Sequence, residues 1–472
     1  MTTSTEEAAA ARAAAAPRQA PADLTLPIPT AEAVRAASLA AVEPDWLLED
    51  RLAALGRVGE LPVESNRLYT TYVDLRGARL AGVAAYEASD IEPAPAGDAA
   101  AALPDGADGF IELREDEVGA LALSGDARAA GVVLETFGAA IRAGRPGLRE
   151  LVDGGPLLPA DDKLAALARA WWRQGVYLRV PDGVRLERPV VVRWAAGRPG
   201  RALVTRTVVS LGEDAGASLV EEQVPSGPEI GCAAGEPVPQ SFFAGTTEVS
   251  LGRGSNLSVA SLQDFPSGLV AFQHRFARIG EAASLHWALA QLGTRVVRSR
   301  VDNRLEGDHS SVEQVEIVFG GGDQVFDLTS YTRHVGRDTT GNLLSKGALL
   351  GNGRSFMKGL ITIDRSAVGT DSFLGEFGMN LSKQARSVAI PSLEIDQPDC
   401  RRAAHSSSVG PIDENQLFYL ESRGIAPDEA RKFIVLGFLE PVVARVPLAE
   451  TQDRLRQLLE EKWSAGQPPT GA

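Results

Sequence analysis

Five histidines and two cysteines are spread over 472 residues, and only one place brings the two types close together. His405 lies five residues after Cys400, at the end of a glycine-punctuated stretch that runs from Ser345 to Pro391-Ser392-Leu393-Glu394-Ile395. An imidazole and a thiol are metal-ligating groups, yet this pair is too small a set for an ordinary metal site. Whatever chemistry occurs there needs a partner. A thiol followed by Arg401 and Arg402 is placed to supply or relay sulfide if it is exposed; the plainer reading is a small buried hydrophobe. For His405 the plainer reading is a loop histidine that hydrogen-bonds backbone where this stretch ends. His334, between Arg333 and Val335, reads as a solvated or satisfied histidine, and Cys232 sits in a Pro/Gly/Glu-rich loop with no role assigned.

Other motifs are absent or incomplete. Gly351-Asn352-Gly353 with Lys358 lacks the spacing of a phosphate loop, and Gly320-Gly321-Gly322-Asp323 reads as a turn. No Ser-His-Asp set, HExxH or paired CxxC appears, so the expected protein is not a self-contained enzyme and has no catalytic residues of its own.

The formal charge of −15 and pI near 5.0 argue against nucleic acid or an anionic membrane as partner. No apolar run approaches the ~18 residues a spanning helix requires. The first residues carry two glutamates and no continuous apolar stretch, which does not read as a secretory signal. Two cysteines cannot make a disulfide framework, so a reducing, cytoplasmic location is expected.

The elements that must position these residues fall into four regions: a disordered tail over 1–29, a mostly helical domain over 30–184, a β core over 185–398 and helices over 399–466. Thr30 is placed to cap a first helix, and apolar spacing from Pro44 to Leu55 predicts another. Lys163 to Gln174 predicts a helix with Gly175 as its C-cap, and β-branched and aromatic content predicts a strand over Leu68–Leu75. Through the core one phrase recurs, an aliphatic residue, glycine, then alternating apolar positions, with glycines at 212, 252, 280 and 307. Such units suit a stacked β-solenoid, with glycine supplying positive φ at the corners. A β-sandwich fits the pattern almost equally. After Pro411 the period becomes helical again: Asp413 and Glu414 open one helix, Pro427 a second that Pro441 kinks or ends, and Leu448–Trp463 is a third.

Three stretches, in order, resemble the SufB/SufD family of SUF iron–sulfur cluster assembly proteins. They are Glu43-Pro44-Asp45-Trp46-Leu47 with Arg51 and Ala53, then residues 164–192 through the turn Val180-Pro181-Asp182-Gly183-Val184, and then the stretch containing His405 and Leu417-Phe418-Tyr419-Leu420-Glu421-Ser422-Arg423-Gly424. The third is the most specific, and together they cover nearly all of the ordered chain. The sequence looks most like SufD. Thr370–Gly375 lacks the cysteine that SufB proteins carry near this point, and His405-Ser406 stands where SufB has His-Glu. The segment Cys400–Ala404 is slightly longer than is usual in the family, which leaves the place of Cys400 relative to His405 open.

The resemblance implies a right-handed parallel β-helix between helical domains. It also implies a complex of SufB, SufD and two copies of the ABC-type ATPase SufC. On that footing His405 is a cluster ligand facing a SufB cysteine, Cys400 is a weaker assembly candidate, and a transient iron–sulfur cluster is shared with SufB. Mixed Cys/His ligation makes a cluster more oxidising and more labile, which suits a scaffold. Leu417, Phe418, Tyr419, Arg423, Phe433 and Phe438 fall on the helices that would dock SufC. A flavin is a further candidate cofactor of the complex, and a second copy of this chain a further partner when it is isolated. The rivals are a SufB-like paralogue that carries the cluster itself, and a solenoid carbohydrate-active enzyme using Asp323, Asp327 and Asp364.

Overall fold

The computed structural model describes residues 25–86, 103–115, 117–227 and 239–465. Most of the expected tail (1–24) and Cys232 lie outside them. The N-terminal part begins with helices α1 (Ala31–Ala40) and α2 (Asp45–Glu60). The Thr30 hydroxyl accepts from the Ala33 N–H at 3.2 Å, as a capping residue should. Strands β1 (Ala84–Ala85), β2 (Gly109–Arg114) and β3 (Glu117–Leu123) follow. After them come α3 (Gly125–Ala129), β4 (Val133–Thr136), α4 (Phe137–Arg142), α5 (Leu148–Val152) and α6 (Lys163–Trp171).

Two sequence expectations fail in this part. Leu68–Leu75 forms no strand: it makes a 3₁₀ turn at Thr70–Tyr72, with the Asn66 side chain accepting from Leu68 N–H at 3.0 Å. Its aromatic content serves packing, since buried Tyr69 donates its hydroxyl proton to Gly359 O at 2.8 Å. Helix α6 stops at Trp171, and Gly175 lies inside a strand rather than capping a helix. A Cβ there would collide with the carbonyl of Arg206, so close backbone approach fixes the glycine.

From there the chain lays down strands in pairs: β5 (Gln174–Val180) and β6 (Val190–Ala196), β7 (Arg201–Leu211) and β8 (Gly216–Pro225), β9 (Ser241–Leu251) and β10 (Asn256–Gln263). β11 (Leu269–Ile279) and β12 (Ser284–Gln291), β13 (Val296–Leu305) and β14 (Ser311–Gly320), and β15 (Val325–His334) and β16 (Thr340–Leu349) continue the series. It ends with β17 (Arg354–Ile363) and β18 (Asp371–Asn380), then β19 (Arg386–Ile395) and β20 (Arg402–Gly410). Odd strands stack in parallel in one sheet, even strands in a second. The fold is therefore a parallel β-solenoid and not a sandwich of antiparallel sheets. Parallel pairing extends upstream of residue 185 and past residue 398, since β5 pairs with β7 and β18 with β20.

Alternation decides what each strand buries. On β11, Leu269, Ala271, Ala277 and Ile279 face the space between the sheets, while Val270 and Phe272 face outward beneath the N-terminal helices. The outer face of the even sheet is covered in turn by α8 (Pro427–Val443) and α9 (Ala449–Ala465), which follow α7 (Glu414–Ser422). Val435, Leu439, Val442, Leu455, Leu459 and Trp463 pack there on Ala288, Ile317 and Phe319. Pro441 lies in the last turn of α8.

The corners differ from expectation in an instructive way. Gly212, Gly252, Gly280 and Gly307 do not carry positive φ. They are glycines because the rungs touch: a Cβ on Gly280 would lie 2.6 Å from Leu251 O, and one on Gly252 2.8 Å from the Gly212 carbonyl carbon. The left-handed residue comes two positions later, at Asp214, Gly254, Ala282 and His309, and each N–H donates to the next rung's carbonyl.

Candidate functional site

The two ends of the solenoid are unlike. At the first, antiparallel β4 covers the edge of β5, and antiparallel β3 covers β2. At the other, β19 and β20 each have a neighbour on one side only among the described residues. Unpaired N–H and C=O groups of two sheet edges are therefore presented together, a template for further pairing.

His405 stands on this last rung. The sequence suggests a loop; instead the residue sits mid-strand on β20, in register with Leu374 of β18. Leu374 is fully buried between the sheets, with Leu343, Ile361 and Ile363. In-register parallel strands share side-chain direction, so His405 continues an interior row at the position where the row ends. It is exposed because nothing stacks on it. Val409 and Ile395 share that fate, at 41% and 45% exposure. An imidazole so placed can ligate a metal, but among the described residues no group of three His, Cys, Asp or Glu side chains is arranged to hold one.

Cys400 precedes β20, the strand that carries His405. It lies between β19 and β20, half-buried against the Leu343–Ile361–Leu374 cluster, which favours its reading as a small apolar side chain. His334 is a satisfied interior histidine: Nδ1 is 2.8 Å from Thr339 Oγ1 and Nε2 3.0 Å from Ser372 Oγ. Burial pulls its pKa down to about 4. The glycine turns are corners. Gly351 and Gly322 both have positive φ, stack on each other, and lead into strands.

Sequence reasoning missed Glu376. It points inward one rung below the open end and accepts from Ile390 N–H of β19 at 2.8 Å. Burial pushes its carboxyl up to about 8, against the pull of the Ile390 N–H and of Lys358. The alternation Phe373-Leu374-Gly375-Glu376 was the available signal, since it puts a carboxylate on the core side of a strand. Asp323, Asp327 and Asp364 do not converge. Asp327 is buried against Lys358 Nζ at 2.7 Å, Asp364 pairs with Arg333 at 2.9 Å, and Asp323 takes the Asn352 amide at 3.0 Å.

Beyond β20 the helices expose aromatics. Helix α7 buries no residue, and Phe418, Tyr419 and Phe433 are 73%, 57% and 57% exposed. The Arg423 guanidinium lies 5.2 Å from the Tyr419 ring centre, and Leu417 is half-buried. Phe438 differs: it faces the solenoid, with Lys346 Nζ 4.7 Å from its ring centre and 3.0 Å from its carbonyl oxygen. No described helix is long and apolar enough to cross a membrane.

Residues 194–438, just over half of the chain, match the family model described as SUF system FeS cluster assembly, SufBD core domain. The chain is 28% identical over 304 residues to the iron–sulfur cluster assembly protein SufD of Bacillus subtilis, covering 64% of this chain and 67% of that one. SufBD family proteins of Staphylococcus haemolyticus and Staphylococcus epidermidis are 26% and 25% identical, over 61% and 67% of this chain and 60% and 66% of theirs. The matches thus span about two thirds or less of those relatives.

Proposed function

The chain belongs to the SUF-system SufBD family of iron–sulfur cluster assembly proteins and is most like SufD, and on that premise we propose that it is the SufD-like scaffold subunit of a complex with SufB and SufC. The observation that carries the reading is the uncapped last rung with His405 on it. Exposed sheet edges at the end of one solenoid are completed by the edges of another, and SufB is the proposed complement. His405 then faces a donor from SufB, and the nascent cluster, the cargo of the complex, is held by ligands from both subunits. A neutral imidazole fits that role. Cys400 is a secondary candidate, because its half-buried thiol must turn outward to take part.

The C-terminal helices supply the second contact. Phe418, Tyr419 and Phe433 form the aromatic part of a SufC-docking surface, with Arg423 and Leu417 around it; Phe438 supports it from beneath. The subunit catalyses nothing itself, and ATP hydrolysis belongs to SufC. No flavin-binding residues are assigned to this chain, since neither glycine-rich turn opens a helix. The SufB-like alternative needs a cysteine that β18 does not contain, and a carbohydrate-active enzyme needs carboxylates that act together.

Co-expression with SufB and SufC homologues, followed by purification through a tag on this subunit, tests the assembly. Both partners should co-elute; a chain that emerges alone overturns the reading. His405→Ala should leave the complex intact while lowering anaerobic cluster yield. Unchanged yield removes the ligand role.

A further inference from the structure

On a chain of net charge −15, five arginines line one groove. It lies on the outer face of the odd-strand sheet, between the strand starts and the 74–81 segment, and has a volume of about 1130 Å³. Arg76 and Arg79 come from the segment; Arg295, Arg354 and Arg386 come from three rungs, those of β13, β17 and β19. Arg354 and Arg386 open β17 and β19 and are direct register partners, while Arg295 immediately precedes Val296, two rungs below Arg354 in the same register. Like charges at paired positions repel.

Two carboxylates answer them. Asp74 takes Arg76 at 2.7 Å and Arg354 at 3.0 Å, and Asp323 takes Arg295 at 3.5 Å. Five guanidiniums against Asp74 and Asp323 leave three positive charges in excess. Among the described residues no carboxylate pairs with Arg79 or Arg386, and both are exposed. Arg386 instead donates to the carbonyls of Lys383 and Ala385. The ladder therefore has an unmet demand for anions.

We propose that this groove binds an extended acidic segment of a partner protein, with two or three carboxylates on alternate residues. Three strand spacings of ~4.8 Å separate β13 from β19, so the ladder is ~14 Å long. An extended segment rises ~3.4 Å per residue, so alternate side chains on one face fall ~7 Å apart and two or three of them span the ladder. The groove is also larger than the ~300–1,000 Å³ of small-molecule pockets, which favours a chain over a metabolite. Guanidinium forks suit carboxylates geometrically. The inference does not depend on the cluster-assembly reading.

The test uses full-length protein and a fluorescein-labelled peptide alternating glutamate and serine. Fluorescence anisotropy should show saturable binding that weakens about tenfold between about 50 and about 200 mM salt. The Arg354→Glu/Arg386→Glu double variant should bind at least about tenfold more weakly, equivalent to about 1.4 kcal/mol. Arg79→Glu, on a separate exposed element, should weaken binding in the same direction and keeps the test alive if the double variant fails to fold. The peptide should raise the melting temperature of the wild type but not of Arg79→Glu. Three results overturn the proposal: no peptide binding, binding that the folded variants retain, or displacement by inorganic tripolyphosphate that itself gives the larger thermal shift, which would make the groove a small-polyanion site.

Discussion

Glu376 is the residue whose ionisation matters most to the end of the solenoid. Burial holds its carboxyl neutral up to about 8, whereas an unfolded glutamate releases its proton near 4.5. Between those values the folded chain keeps a proton that the unfolded chain has lost. Its contribution is therefore complete at low pH and falls as pH rises through that window, by up to about 1.4 kcal/mol per pH unit. Glu376→Gln should lose this slope, so melting curves of the two proteins should diverge steadily between pH 5 and pH 8 (about the two limits of the window); parallel curves would show that the carboxyl is already ionised. His334 works with the opposite sign. Held neutral down to about 4, it contributes stability above the usual histidine range, and that is lost as pH falls. His405 itself was legible from its neighbours in the chain. Its inward direction was not, because an exposed histidine gives no sign of continuing an interior row.

At the scale of elements, the rung corners divide labour between two positions. At one corner Gly280 gives room to the Leu251 carbonyl and Ala282 takes a φ of +52°. Gly280→Ala should destabilise by about 1–3 kcal/mol, the usual cost of forcing atoms into a packed site. Ala282→Gly should be neutral or stabilising by up to about 1 kcal/mol, because left-handed strain and glycine's chain entropy nearly cancel. Chemical denaturation of the two variants checks the ranking. The glycine period was readable while the reason for it was not, since contacts between successive rungs leave no mark on local sequence. The same blindness applies to Leu68–Leu75, where Tyr69 answers to Gly359 on a strand far along the chain. Helix α7 was readable outright from its acidic start and Gly424. In α7, Phe418→Asp with Tyr419→Asp should change stability by less than about 0.5 kcal/mol per site. On the proposed docking of SufC there, the pair should weaken SufC binding by at least about tenfold, measured by calorimetry; unchanged binding would overturn the assignment of these aromatics to that contact.

For the whole molecule, the order helical, β, helical follows from changes of hydrophobic period; the repetition alone fitted a solenoid and a sandwich almost equally, and only the family resemblance pointed to the solenoid. Which face each helical part covers was beyond sequence. The N-terminal helices lie on the odd sheet and α8 and α9 on the even one, a choice made by apolar stripes of strands far apart in the chain. The open rung also predicts behaviour in solution. Without SufB, the chain should pair with itself through β19 and β20, and Val409→Lys should give a monomer, since a charge at an open edge blocks pairing. Light scattering across a dilution series distinguishes the two, and a Val409→Lys protein that still dimerises would place self-contact on another surface.

The unlike ends set a limit on growth. A rod of stacked strands with two sticky ends would polymerise, each copy templating the next into a fibre. Here the stacks close at one end on antiparallel β3 and β4, and β4 is only four residues long; a short, reversed edge strand is a poor template for a further parallel rung. Pairing through β19 and β20 is then favoured over growth from the other end, so a pair is the expected assembly. The protein thereby keeps a long parallel edge available for a partner while its opposite end is poorly suited to propagate the stack.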